Sequence, residues 1–270
     1  MSISLNDRVA LVTGSSRGIG AAIARKLAKV GTRVVVHANN SAHDAEHVAS
    51  EISSDGGRAV AVQGDLSSAD GPARVVHCAF SRFGALDILI NNAGVFEGGN
   101  VEKITAQQID RVLAINVRTL FLTIKEYVRV TKSANGRIVN ISSIAGHLPS
   151  PGGALYAASK AAVESLTKSL AVELGDQKIT VNAVAPGTTE TEMSLHGFPK
   201  DLLQLNAAVT ALRSPGRPDQ VADAVVLLCS DAASWITGQI LGADGGQLTT
   251  MAVLRRIHDE VHSQLKRKAA

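Results

Sequence analysis

The chain of 270 residues has few aromatics: one Trp, two Tyr and five Phe, 3% of the whole. Its net charge is only +3, and no basic stripe is interleaved with aromatic residues, so nucleic acid is not an expected partner. Two cysteines, Cys78 and Cys229, sit in apolar helical patterns and read as reduced core thiols rather than a disulfide. No His, Cys and Asp cluster has metal-ligand spacing, so no metal is expected. No apolar run is long enough to span a bilayer. The opening MSISLNDRVALVTG lacks a basic stretch followed by a long apolar one, and the closing KRKAA matches no lipidation or retention signal. These absences point to a cytoplasmic protein with no membrane partner. Linkers, repeats and low-complexity tracts are also missing.

What the chain has is a composition of 45% hydrophobic and 19% charged residues, enough for a sizeable core. Short β-branched or apolar runs recur at 9–12, 34–36, 59–62, 88–90, 137–141, 179–184 and 239–241. Continuous apolar runs suit parallel strands covered on both faces. Helical periodicity fills the gaps, over 19–30, 43–55, 69–82, 105–131, 154–174 and 219–229. This alternation predicts one doubly wound, Rossmann-type α/β domain over residues 1–248. Residues 187–217, with several Gly and Pro, form a long excursion that reads as a lid. The tail 249–270 places Leu254, Ile257, Val261 and Leu265 on one helical face. It is expected to be a C-terminal helical extension packed on its own or a neighbouring subunit.

The stretch VTGSSRGIG follows the first strand and opens the first helix. Gly14 permits the tight turn, Gly18 a close approach to a diphosphate, and Gly20 close packing of helix on strand. Amides at the helix start then face phosphate oxygens. The second strand ends HANNS, residues 37–41, without the acid that would bind a ribose 2′-hydroxyl and repel a 2′-phosphate. Arg17 lies within reach of the same place, and a guanidinium suits a phosphate dianion. NADP(H) is therefore the expected cofactor.

TGSSRGIG (13–20), NNAG (91–94), Asn116 in AINV, Ser143, the Tyr156–Lys160 pair and PGTTETEM (186–193) occur in order. Together they resemble the short-chain dehydrogenase/reductase family over residues 5–248. The resemblance implies a seven-stranded parallel sheet with helices on both faces. It also implies a catalytic tetrad of Asn116, Ser143, Tyr156 and Lys160. For the cofactor it implies Gly14, Ser16, Arg17, Gly18, Ile19 and Gly20 in the glycine loop, and Asn39, Asn40 and Ser41 at the 2′-phosphate. Asp65 and Leu66 belong at the adenine, Asn92, Ala93 and Gly94 near the adenosine ribose. Pro186, Gly187, Thr189 and Thr191 belong at the carboxamide and diphosphate. Thr189 stands where the family commonly has an aliphatic residue.

The chemistry fits these residue types. Carbonyl reduction by hydride needs a proton for the developing alkoxide, and a free phenol with a pKa near 10 is a poor donor or acceptor at neutral pH. Lys160 lies one helical turn from Tyr156 on the same face. Its ammonium is expected to lower the phenol pKa, and the Ser143 hydroxyl to hold the substrate oxygen. By resemblance Lys160 also grips the nicotinamide ribose, and Asn116 holds a relay water. Val95, Phe96, Ile144, His147, Leu148, Met193, Leu195 and Phe198 are pocket candidates, largely apolar, with His196 another. They suit a small or medium ketone. His147 reads otherwise as a solvated loop residue, and Trp235 as a packing residue.

Two alternatives compete with a carbonyl reductase. One is a 3-oxoacyl-(acyl-carrier-protein) reductase, although Ala134 and Gln177 stand where such enzymes resemble one another in carrying arginines; Lys132 and Lys178 lie close. The other is a non-catalytic NADP(H)-binding sensor, against which both Tyr156 and Lys160 are retained. Family members often assemble as tetramers through helices matching 105–131 and 154–174, so a homo-oligomer, tetramer or dimer, is expected.

Overall fold

A computed structural model of the chain describes residues 3–148, 151–197 and 210–249, without side chains at 195–197. Seven strands form one parallel sheet: β1 Val9–Val12, β2 Arg33–Ala38, β3 Arg58–Gln63, β4 Ile88–Asn91, β5 Arg137–Ile141, β6 Thr180–Pro186 and β7 Ile240–Ala243. Their order is β3-β2-β1-β4-β5-β6-β7. The strand order therefore reverses between β1 and β4, and the crevice at that switch is where such sheets bind ligands.

The helices are α1 Gly18–Lys29, α2 Ala42–Ser54, α3 Gly71–Phe83, α4 Ala106–Leu113, α5 Thr119–Val130, α6 Ala154–Glu173, α7 Glu192–Gly197 and α8 Pro218–Cys229. Alternation along β1 explains the layering. Ala10 and Val12 face one core with Ile23 and Leu27 of α1 and Val221 and Val225 of α8. Val9 and Leu11 face the other, with Val75 and Val76 of α3, Ile124 of α5 and Val163 of α6. Successive side chains of a strand point to opposite faces, so a run such as VALV fills both layers. Burying a side chain such as Ile23 or Leu27 contributes roughly 1.5–3 kcal/mol.

A buried polar chain crosses the middle of the sheet. Asn91 and Asn140 are register partners on β4 and β5. The Asn91 amide donates to Asn140 Oδ1 at 2.9 Å, and the Asn140 amide donates to Thr167 Oγ1 of α6 at 3.0 Å. Thr123 of α5 donates to Asn91 Oδ1 at 2.7 Å. These four side chains satisfy one another away from water, as buried polar groups must.

Two departures from the sequence reading stand out. The single helix expected over 105–131 is interrupted by a π turn at Ala114–Arg118, which carries Asn116. Trp235, expected to pack, is 98% exposed. It follows the short 3₁₀ turn Asp231–Ala233, where Ala233 is the buried residue and the indole points away from the chain's own core. Both cysteines are free thiols. Burial pushes the Cys229 thiol up to about 12. The tail beyond Thr249 and the lid segment 198–209 lie outside the described residues.

Candidate active site at the carboxyl edge of the sheet

The loop after β1 is held from several sides. Gly14 has φ 61°, and a Cβ there would lie 2.9 Å from Ala93 Cα, so the loop rests directly on the stretch that follows β4. Thr13 Oγ1 accepts from the Asn92 and Ala93 amides at 2.9 and 3.0 Å. Asn92 Nδ2 donates back to the Thr13 and Gly14 carbonyls at 2.9 and 2.8 Å. Gly20 permits closest approach: a Cβ on it would stand 2.4 Å from Gly14 O, 2.5 Å from Asn92 Nδ2 and 2.8 Å from Ser15 Cα.

His37 of β2 is a second anchor, and its role was not read from the sequence. The Gly14 amide donates to its Nδ1 at 3.0 Å, so Nε2 carries the proton and donates to Gly64 O at 2.9 Å. The His37 amide donates to Ser15 Oγ at 2.9 Å. Burial holds the imidazole below its ordinary range. Only the position of His37 at a strand end, beside the expected nucleotide stretch, signalled it.

Helix α1 starts at Gly18 with no side-chain cap bond and no acid in its first turn. Its first amides therefore face the crevice without a competing carboxylate, a setting that favours an anion. Ser16 and Ile19 are half-buried here, and Arg17 is exposed with an ion pair to Glu192 at 3.4 Å. Asn39, Asn40 and Ser41 are exposed at the end of β2; Ser41 begins α2 without a side-chain cap bond. Asp65 accepts from the Ser67 amide and hydroxyl at 2.9 and 2.7 Å, bonds that hold its carboxyl below the usual range. The Leu66 side chain is buried in the core and its carbonyl accepts from Thr119 Oγ1 at 2.8 Å, which leaves its amide for any ligand contact. These features fit a phosphorylated dinucleotide: an uncapped helix start and a glycine at close approach for the diphosphate, and no acid from 37 to 41 to repel a 2′-phosphate.

The loop after β6 closes over the same place. Gly187 donates to Ala243 O at 3.1 Å, just beyond Pro186. Thr189 is buried, and its hydroxyl donates to Gly187 O at 3.0 Å. A Cβ on Gly18 would meet the Thr191 side chain at 3.9 Å, so the β1 and β6 loops face each other.

The other end of the crevice gathers the expected proton-transfer groups. β5 ends at Ile141, and Ser143 begins the 3₁₀ turn Ile144–Gly146, its hydroxyl accepting from the Ala145 amide at 3.1 Å. Helix α6 presents Tyr156 and Lys160 one turn apart. Lys160 Nζ lies 5.5 Å from the Tyr156 ring centroid and donates to Ile141 O at 2.8 Å. A Cβ on Gly94 would be 3.2 Å from Asn116 Oδ1 and 3.7 Å from Lys160 Nζ, so these groups border one small space next to the glycine loop. Asn116 accepts from the Val95 amide at 2.9 Å, and its Nδ2 donates to Val95 O and Ser159 Oγ, both at 3.0 Å. Its side chain thus ties the β4 loop to α6.

The electrostatics correct one expectation. Tyr156 is not lowered: desolvation pushes its phenol up to about 12, offset in part by a hydrogen bond with Ser143. Lys160 spends its ammonium on Ile141 O, and burial pulls it down to about 8 against the opposing charge of Glu164. At neutral pH the phenol is protonated, the state that proton delivery needs.

Of the pocket candidates, Phe96 stands edge-on to Tyr156 with ring centroids 5.1 Å apart. Val95 and Ile144 are half-buried, and Leu148 and Met193 exposed. His147 is not merely solvated: its Nε2 pairs with the buried Glu164 carboxylate at 2.9 Å. The side chains of Leu195 and His196, and all of Phe198, lie outside the described residues. Among the described residues no group of three His, Cys, Asp or Glu side chains could hold a metal, and no helix is long and apolar enough to cross a membrane.

A coenzyme crevice at a sheet switch point, beside a Ser, Tyr and Lys cluster, defines a nucleotide-dependent oxidoreductase. The family model described as enoyl-(acyl carrier protein) reductase matches residues 14–247. Versicolorin reductase stcU of Emericella nidulans is 40% identical over 253 residues, spanning 90% of this chain and 96% of its own. A dehydrogenase/reductase from Sinorhizobium meliloti 1021 superposes with a TM-score of 0.88 at 40% identity, covering 92% of this chain and 98% of its own. The angucycline C-6 ketoreductase LanV, solved with bound NADP, superposes with a TM-score of 0.86 at 37% identity, covering 92% and 98%. The chain belongs to the short-chain dehydrogenase/reductase family.

Proposed function

We propose that this chain is an NADPH-dependent ketoreductase that converts a small or medium ketone to a secondary alcohol. The observation that carries the reading is the meeting of the Tyr156 phenol, the Ser143 hydroxyl and the Lys160 ammonium beside the glycine loop. NADPH, when bound, supplies the hydride. Gly14, Ser16, Gly18, Ile19 and Gly20 hold its diphosphate, and Arg17, Asn39, Asn40 and Ser41 its 2′-phosphate. Asp65, Leu66, Asn92, Ala93 and Gly94 border the adenosine, while Pro186, Gly187, Thr189 and Thr191 hold the nicotinamide end. The NADP bound by the LanV ketoreductase supports this choice of nucleotide.

Ser143 and Tyr156 direct their hydroxyls at the carbonyl oxygen. As negative charge grows there, Tyr156 releases its proton to that oxygen while Ser143 keeps it in place. The Lys160 charge stabilises the phenolate that remains, until a proton returns through the space bordered by Asn116. Phe96 and Ile144 give the pocket an apolar wall, which suits a hydrophobic ketone.

The test is NADPH oxidation across a panel of ketones and a 3-oxoacyl thioester. Tyr156→Phe keeps the ring against Phe96 and is expected to lower kcat about 10²–10⁴-fold at unchanged melting temperature. A loss smaller than about tenfold sinks the assignment.

The same reading makes the chain a homo-oligomer, tetramer or dimer, in the cytoplasm. The exposed apolar residues Ile109 and Leu113 of α4 and Phe121 of α5 support an interface on those helices. Light scattering on the eluting protein tests it.

A further inference from the structure

Glu164 is not among the groups assigned to the proposed reaction. It lies on α6, one turn beyond Lys160, and its side chain is only 8% exposed. A buried carboxylate is costly unless both oxygens are paired. Here Oε1 accepts from Ser142 Oγ at 2.8 Å and Oε2 pairs with His147 Nε2 at 2.9 Å. Ser142 immediately precedes Ser143, and His147 closes the 3₁₀ turn that follows it. A Cβ on Gly146 would lie 3.0 Å from Glu164 Oε1, so the turn is pressed onto the carboxylate.

We infer that Glu164 is a positioning residue for proton transfer. Its two oxygens clamp both ends of the serine-bearing turn to the helix that carries Tyr156 and Lys160, with its charge toward the Lys160 ammonium. The inference rests on the ketoreductase reading. Other charged groups on the packed elements face elsewhere. Arg111 of α4 pairs with Glu97 at 3.1 Å, and Asp110 is exposed. Arg118 of the π turn donates to Ser67 O at 2.6 Å. Strand β6 carries no charged side chain. Facing Lys160 are therefore Tyr156 and Glu164, and facing Glu164 are Lys160 and His147. Without the carboxylate, the buried ammonium keeps the Ile141 carbonyl and the Tyr156 ring but no opposite charge one turn along its helix.

The experiment follows the ¹³Cε resonance of Lys160 against pH in labelled full-length protein, assigned by its loss in Lys160→Met. In Glu164→Gln, whose amide preserves size and hydrogen bonding, Lys160 is expected to lose its proton about one pH unit lower than in the unsubstituted chain. Glu164→Asp, which keeps the charge, restores the midpoint. An unmoved midpoint in Glu164→Gln overturns the inference. Should Glu164→Gln not fold, His147→Ala removes one anchor from an exposed side chain. It is expected to lower kcat several-fold at unchanged KM for NADPH, and an unchanged kcat overturns the clamp. The lysine titration needs no turnover. Inactivity of the unsubstituted protein toward every ketone refutes the ketoreductase reading, whereas an unmoved Lys160 midpoint refutes this one.

Discussion

Replacing Gly20 with Ala tests how tightly the nucleotide loop is built. The added Cβ would enter at 2.4 Å from Gly14 O, 2.5 Å from Asn92 Nδ2 and 2.8 Å from Ser15 Cα. Two of these three are backbone atoms, and the third belongs to a side chain already bonded to the Thr13 and Gly14 carbonyls. None is the loose end of a flexible chain, so α1 must move off the loop or the Asn92 bonds must stretch. Overpacking of this kind costs about 1–3 kcal/mol. Weakening the two Asn92 bonds adds roughly 0.5–1.5 kcal/mol each. The alanine returns about 0.5–1 kcal/mol of helix propensity. The net loss is about 1–5 kcal/mol, or roughly 2–20 °C in Tm for a chain of this size. Because the displaced amides are those proposed to meet the diphosphate, KM for NADPH is expected to rise as well. Thermal unfolding followed by circular dichroism, with NADPH kinetics at 25 °C, reads both. A Tm within about 2 °C of the unsubstituted chain, with KM unchanged, refutes the reasoning.

Two further predictions concern charge. His37 is neutral in the fold because burial lowers its pKa from the ordinary 6.5. The unfolded chain therefore binds the extra proton: stability from this group is complete above about pH 6.5 and drains away as pH falls toward the lowered folded value. Urea unfolding between pH 5 and 8 should show that slope, and His37→Asn should flatten it. Arg17→Ala removes an exposed ion pair of negligible stabilising value. It should leave Tm alone, raise KM for NADPH about tenfold through loss of a charge-assisted contact, and spare NADH; equal effects on both coenzymes count against a 2′-phosphate role.

The sheet was legible because its strands are nearly unbroken β-branched runs. Residues 9–12 and 137–141 match β1 and β5 residue for residue, and the other strands differ by one to three residues at their ends. The helices read over 19–30 and 219–229 start one residue earlier, at Gly18 and Pro218. The π turn was not, since AINV has no breaker; the bulge is sustained by Asn116 reaching the Val95 backbone, 21 residues away. His37 and Glu164 were missed for the same reason. Their partners Gly14, Ser142 and His147 lie 17–23 residues off in sequence, and only the fold brings them near. The phenol's upward shift was unreadable because a lysine four residues away announces charge but not the desolvation that outweighs it.

The asparagine pair across β4 and β5 has an effect on assembly of the chain itself. A slip of one residue between these strands would turn Asn91 and Asn140 to opposite faces, breaking the bond between them and costing either Thr123 its Asn91 acceptor or Thr167 its Asn140 donor. Mispairing of β4 with β5 is thus penalised one strand away from the switch point between β1 and β4. Asn91 immediately precedes the residues bracing the glycine loop, and Asn140 lies three residues before Ser143. Correct pairing therefore also fixes how high the serine stands relative to the coenzyme cradle, before any ligand arrives.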